Sequence, residues 1–138
     1  MKELLVDSNV IIRLLAGDHE VHSAAARKLF ASAYEGKYKL WIHSIVIAEC
    51  CYVFEGKYYG YDRHTIAQNL NSLLELKGVK SHEATILSDA LKLYARTDID
   101  FADAYLAILQ QDGRDGVVTF NVKDFENTGC NYFNPIKL

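Results

Sequence analysis

A single proline, Pro135, stands in the 138-residue chain, so almost nothing in the backbone chemistry stops regular elements from running through it. Linkers, internal repeats and low-complexity tracts are missing as well, which argues against disordered arms. The three cysteines, Cys50, Cys51 and Cys130, give neither a disulfide framework nor CxxC metal spacing, and they read as reduced packing residues. The longest apolar run, Trp41 to Phe54, is broken by His43, Ser44 and Glu49 and falls short of the ~20 residues of a membrane span. No basic-then-apolar-then-small pattern marks a signal peptide, so the expectation is a cytoplasmic protein without a membrane anchor. Excess positive charge is lacking too: 15 Lys and Arg against 18 Asp and Glu leave a net charge of −3, which argues against a domain that holds nucleic acid by overall charge alone. What is present is apolar material, half of the chain, enough for one domain over residues 1–138 with its own core.

The apolar residues come in short strand-like and longer helix-like pieces that alternate. Residues 3–6 suit a buried parallel strand, and Ser8 to Leu15 place Val10, Ile11, Leu14 and Leu15 on one face of a helix that Gly17 stops. Residues 19–34 carry Ala24, Ala25, Leu29 and Phe30 at helical spacing. A strand over 38–43 follows, and Ser44 can cap a helix running to about Phe54. Beyond the loop "EGKYYGYD", helices are predicted over 62–76, from Ser81 to near Arg96 and over 100–111. Strands are predicted over 78–80 and 115–120, with a last edge strand in "CNYFNP". Such alternation predicts an α/β three-layer sandwich with a mainly parallel central sheet, whose ligand site lies beyond the carboxyl ends of the strands.

Four carboxylates stand out against this background. In "LLVDSNVII", Asp7 interrupts an aliphatic segment at a strand-to-helix junction, where a simple helix cap would also explain it. Glu49 sits inside "IVIAECCYVF", apolar on nearly every helical face, where a buried charge needs a partner or a metal. Asp103 lies in the first turn of "DIDFADAYLAIL", favoured there by the helix dipole but ringed by apolar residues. Asp124 follows Thr119 and Asn121 in "VVTFNVKDF", each an ordinary turn residue taken alone. Acids gathered at one edge of a parallel sheet repel one another, and a hard divalent cation neutralises them. The pattern therefore points to a metal site that can face phosphates.

In order and spacing, "VDSN", "SIVIAE", "DFADAYLA" and "VVTFNVKDF" resemble the motifs of the PIN-domain ribonucleases, particularly the VapC-like toxins of toxin–antitoxin pairs. The resemblance runs from residue 4 to about 135. It implies a PIN-like sandwich, Mg²⁺ or Mn²⁺ as cofactor, RNA as substrate and a small antitoxin as partner. Asp7, Glu49 and Asp103 take the three main acidic positions, as metal ligands and catalytic groups. At the fourth position Asn121 stands where many members have Asp, and in the "T-x-N-x-x-D-F" arrangement Asp124 can supply the charge instead.

From the residues themselves, Asp7 and Asp103 are expected as direct ligands and Glu49 as ligand or water-orienting base. Ser8, Asn9, Thr119 and Asn121 are expected as neighbours that orient the carboxylates. Arg13, Lys57 and Lys123 are candidates for the RNA backbone, though solvated surface charge explains each as well. Tyr52, Tyr94 and Tyr105 read as packing residues rather than base-stacking groups. The aromatic helices between residues 41 and 76 suggest a homodimer. A receiver domain is disfavoured, because the first strand offers only Asp7 and "GVKSH" has no acceptor Asp. A non-catalytic PIN-like interaction module and an RNA-processing nuclease without a toxin role are the other readings.

Overall fold

The computed structural model describes residues 1–138 and begins as the sequence suggests, with strand β1 (Lys2–Leu5) leading through Val6 and Asp7 into helix α1 (Ser8–Ala16). Gly17 ends α1 in the left-handed conformation, φ 62°, its N–H donating to the Arg13 carbonyl. A residue with a Cβ reaches that conformation only with strain, which is why the helix stops there. Helix α2 (Glu20–Tyr34), strand β2 (Tyr38–Trp41), helices α3 (Ser44–Glu55) and α4 (Arg63–Leu74) and strand β3 (Val79–Lys80) complete the first of two compact units, Met1–Ala84. Its sheet has the order β1-β2-β3, all parallel, with Leu5 opposite Trp41 and Trp41 opposite Lys80. Helix α1 packs on α2 and α3, and α3 on α4. Leu40 and Ile42 on one sheet face are fully buried, as are Ile11 of α1, Ile47 and Cys50 of α3 and Leu70 of α4.

The second unit, Thr85–Leu138, holds most of helix α5 (Ala84–Arg96), then α6 (Phe101–Leu109), strand β4 (Val117–Val118), the single turn α7 (Val122–Phe125), strand β5 (Tyr132–Phe133) and a 3₁₀ turn, Pro135–Lys137. Strands β4 and β5 pair in parallel. Leu87, Leu91 and Tyr94 of α5, Ala104 of α6 and Phe125 of α7 are buried. Tyr94 meets Phe101 edge-on with ring centroids 6.1 Å apart.

The α/β class and the parallel pairing agree with the sequence reading, and several details depart from it. Strand β1 is exposed along its whole length rather than buried. The inward face of α2 is Ser23, Ala26, Phe30 and Ala33, rotated from the expected Ala24, Ala25 and Leu29. Tyr52 is 83 % exposed, whereas Tyr94 is fully buried. His43, not Ser44, occupies the position before α3, and its side chain makes no capping bond. Strand β4 is shorter than the expected 115–120 because Thr119 turns the chain, its hydroxyl accepting the Asn121 N–H at 2.9 Å.

Candidate functional site

At the end of β1 the backbone of Asp7 is extended, and its carboxylate accepts the Ser8 N–H at 2.8 Å. The capping role is therefore real. It engages one oxygen with the neighbouring amide and leaves the other available. Ser8 is buried, and its hydroxyl donates to Glu49 Oε2 over a long 3.4 Å, so α1 and α3 present Asp7, Ser8 and Glu49 at one place. The Cys50 thiol, which donates to the Ser8 carbonyl at 3.9 Å, senses both acids. Burial first, then the charges of Glu49 and Asp7, push it up to about 12. It stays protonated at neutral pH and is no nucleophile.

Glu49 is exposed, contrary to the expectation of a buried charge. The reason is that α3 has two apolar faces. Ile47, Cys50, Cys51 and Phe54 point into the core, while Ile45, Tyr52 and Val53 flank Glu49 on the outside. An apolar surrounding in sequence therefore did not mean burial in space.

In the second unit, Asp103 is half-buried in the first turn of α6. Burial first, then the charges of Asp100 and Asp124, raise its carboxyl above the ordinary range. Asp100 precedes α6 without a side-chain capping bond, and Asp124 lies exposed in α7 after Asn121. Asp103 and Asp124 take no part in the ion pairs Arg13–Asp18, Lys37–Glu35, Arg63–Glu55 and Arg114–Asp112. Asp124 borders a groove of about 410 Å³ with Arg96, Asp98 and Lys123.

The expected helpers divide. Ser8 reaches Glu49, whereas Asn9 lines a groove with Arg13 and His22. Thr119 and Asn121 bond to each other and to no carboxylate. Arg13 is held by Asp18 at 3.0 Å, and the Tyr59 hydroxyl donates to the same carboxylate at 2.7 Å. A structural latch explains Arg13 without RNA. Asp100 was not singled out as a site residue, although its place before α6 and its acidic neighbours in "DIDFAD" were legible.

A PIN domain model matches residues 4–129, a stretch that includes all four acids. The chain belongs to the PIN domain family. PIN domains are in general nucleases, hydrolases of phosphodiester bonds that act on RNA. No curated protein and no solved structure gives a significant match to the chain.

The side chains present suit a hard cation in kind: every candidate ligand is a carboxylate oxygen, and Asp103 carries uncompensated negative charge around it. No group of three or more His, Cys, Asp or Glu side chains is gathered closely enough to hold a metal ion.

Proposed function

We propose that this PIN domain is a metal-dependent endoribonuclease, with Asp7, Glu49, Asp103 and Asp124 as the ligand set for Mg²⁺ or Mn²⁺. The observation that carries the reading is the family match over residues 4–129, joined to carboxylates that no Lys or Arg neutralises. The length of that match also supports one functional domain over 1–138. Bound metal supplies a water of lowered pKa and offsets charge on the scissile phosphate. The chain's own part is to hold the ligands in place: the Ser8 N–H fixes the Asp7 carboxylate, and the Ser8 hydroxyl steadies Glu49, which can orient the water or accept its proton. The raised Asp103 carboxyl gains most from a cation, because its ionised form suffers both burial and two like charges.

The finer reading is a VapC-like toxin working on cytoplasmic RNA. Its partner is a small antitoxin whose Arg or Lys competes for the carboxylates through charge-assisted hydrogen bonds. A homodimer fits the exposed Ile45, Tyr52 and Val53 of α3. No helix is long and apolar enough to cross a membrane. The test is incubation of the purified chain with a panel of labelled RNAs, in Mn²⁺ and in EDTA. Cleavage in Mn²⁺ that EDTA abolishes is the expected result. Intact RNA across the panel would instead favour a non-catalytic interaction module.

A further inference from the structure

One face of the β1-β2-β3 sheet carries an aromatic stack that the carboxylate chemistry does not use. Trp41 and His82 lie ring on ring, centroids 4.6 Å apart and planes 20° from parallel. His43 leans against His82 at 5.4 Å. Trp41 is half-exposed, and both histidines are exposed. The indole N–H donates to Glu3 Oε1 at 2.8 Å, which fixes the plane of the largest ring and engages the Glu3 carboxylate. The strand register sets the neighbours: Lys39 is opposite Glu3, and Lys80 is opposite Trp41, so both lysines share the face with the stack. Neither lysine takes part in an ion pair.

Position ties this surface to Asp7. Two residues beyond the Leu5, Trp41, Lys80 row, the chain reaches Asp7, His43 and His82, one at the carboxyl end of each parallel strand. Neighbouring strands are about 4.8 Å apart, so the stack begins roughly one strand from Asp7. Exposed flat rings flanked by unpaired lysines are what single-stranded nucleic acid uses: bases stack on the rings and phosphates meet the cations.

We infer that Trp41, His82 and His43 form a stacking platform for the bases of single-stranded RNA beside Asp7, with Lys39 and Lys80 meeting its phosphates. The ligand class rests on the nuclease reading above. The platform selects unpaired RNA over duplex, because a base inside a helix cannot offer its face, and it discriminates weakly among bases, since every base has one.

Trp41 is the chain's single tryptophan, so its emission reports on the stack without a label. The intact chain is titrated in EDTA, and again with Ca²⁺, with a short single-stranded RNA, an abasic ribose-phosphate strand of equal length and a perfect duplex. Saturable quenching by the single strand alone is the expected result. His82→Ala, which keeps the reporter and changes an exposed side chain, should weaken single-strand affinity about 5- to 100-fold and leave the abasic strand unaffected. RNA binding with Trp41 emission unchanged, no binding in either medium, or His82→Ala binding as tightly as the parent would each overturn the platform. An emission change that follows protein concentration without RNA would assign the face to a second copy and overturn it equally. Cleavage is read separately in Mn²⁺: quenching without cleavage leaves the platform standing and removes the nuclease, whereas cleavage with a silent Trp41 does the reverse.

Discussion

Asp7 shows how one side chain can serve two ends. A cap and a ligand both need an oxygen at the end of β1, and the carboxylate has two, of which the Ser8 amide takes one. The sequence allowed both roles without choosing, since either is satisfied by Asp before a helix. Glu49 was legible as unusual but for the wrong reason, because the apolar residues around it divide between a buried and an exposed face. Asp103 was read more accurately, its first-turn place and partial burial following from helical periodicity alone. The fourth position turns on Asn121 and Asp124, both exposed and three residues apart. If Asn121 stands in for a ligand, Asn121→Asp adds charge and should tighten Mn²⁺ binding by about tenfold, whereas Asp124→Asn should weaken it. Calorimetric titration of the two variants checks this, and unchanged or weaker affinity in Asn121→Asp would leave Asp124 as the fourth ligand.

Elements were easier to foresee than their ends. Every predicted helix and strand exists, since periodicity extends over many residues, but boundaries shift where a single hydrogen bond decides, as at Thr119 and at Ser81, whose hydroxyl accepts the Glu83 N–H before α5 begins. Two junctions yield predictions. Gly78 enters β3 at φ 93°, and a Cβ built there would lie 2.3 Å from the Ala33 carbonyl oxygen, in fixed backbone. Gly78→Ala should therefore cost roughly 2–4 kcal/mol by chemical denaturation, combining a strained φ with overpacking. Asp62 caps α4, and the Thr65 backbone N–H and then its hydroxyl hold the Asp62 carboxyl below the usual range. A lowered carboxyl stabilises the fold above its unfolded pKa and loses that contribution as pH falls through the folded value. Asn caps about as well without titrating, so Asp62→Asn should match the parent at neutral pH and melt with less dependence on pH in the acid range. Parallel melts across that range measure it, and equal slopes would contradict the assignment.

For the whole molecule, composition indicated an apolar core but could not show how the chain divides. Met1–Ala84 and Thr85–Leu138 form separate compact units, a division that no proline, linker or shift of composition marks near residue 84. Nor could net charge show where surface is left uncovered. Ile45, Tyr52 and Val53 stand out on α3 because its second apolar face has no cover. If that face joins two copies, the parent should sediment as a dimer at micromolar concentration, and Ile45→Glu as a folded monomer. A monomeric parent would remove the dimer from the account.

Metal binding by carboxylates that include Asp7 is the central claim, and Asp7→Asn isolates it because Asn retains the bond to the Ser8 amide. Thermal melts of parent and variant in EDTA and in Mn²⁺, with RNA cleavage followed in the same samples, measure both consequences. The account predicts that the variant is at least as stable as the parent in EDTA, since one repelling charge is gone. Mn²⁺ should raise the melting temperature of the parent alone, with cleavage lost in the variant. Equal Mn²⁺-induced shifts and retained cleavage in Asp7→Asn would contradict it.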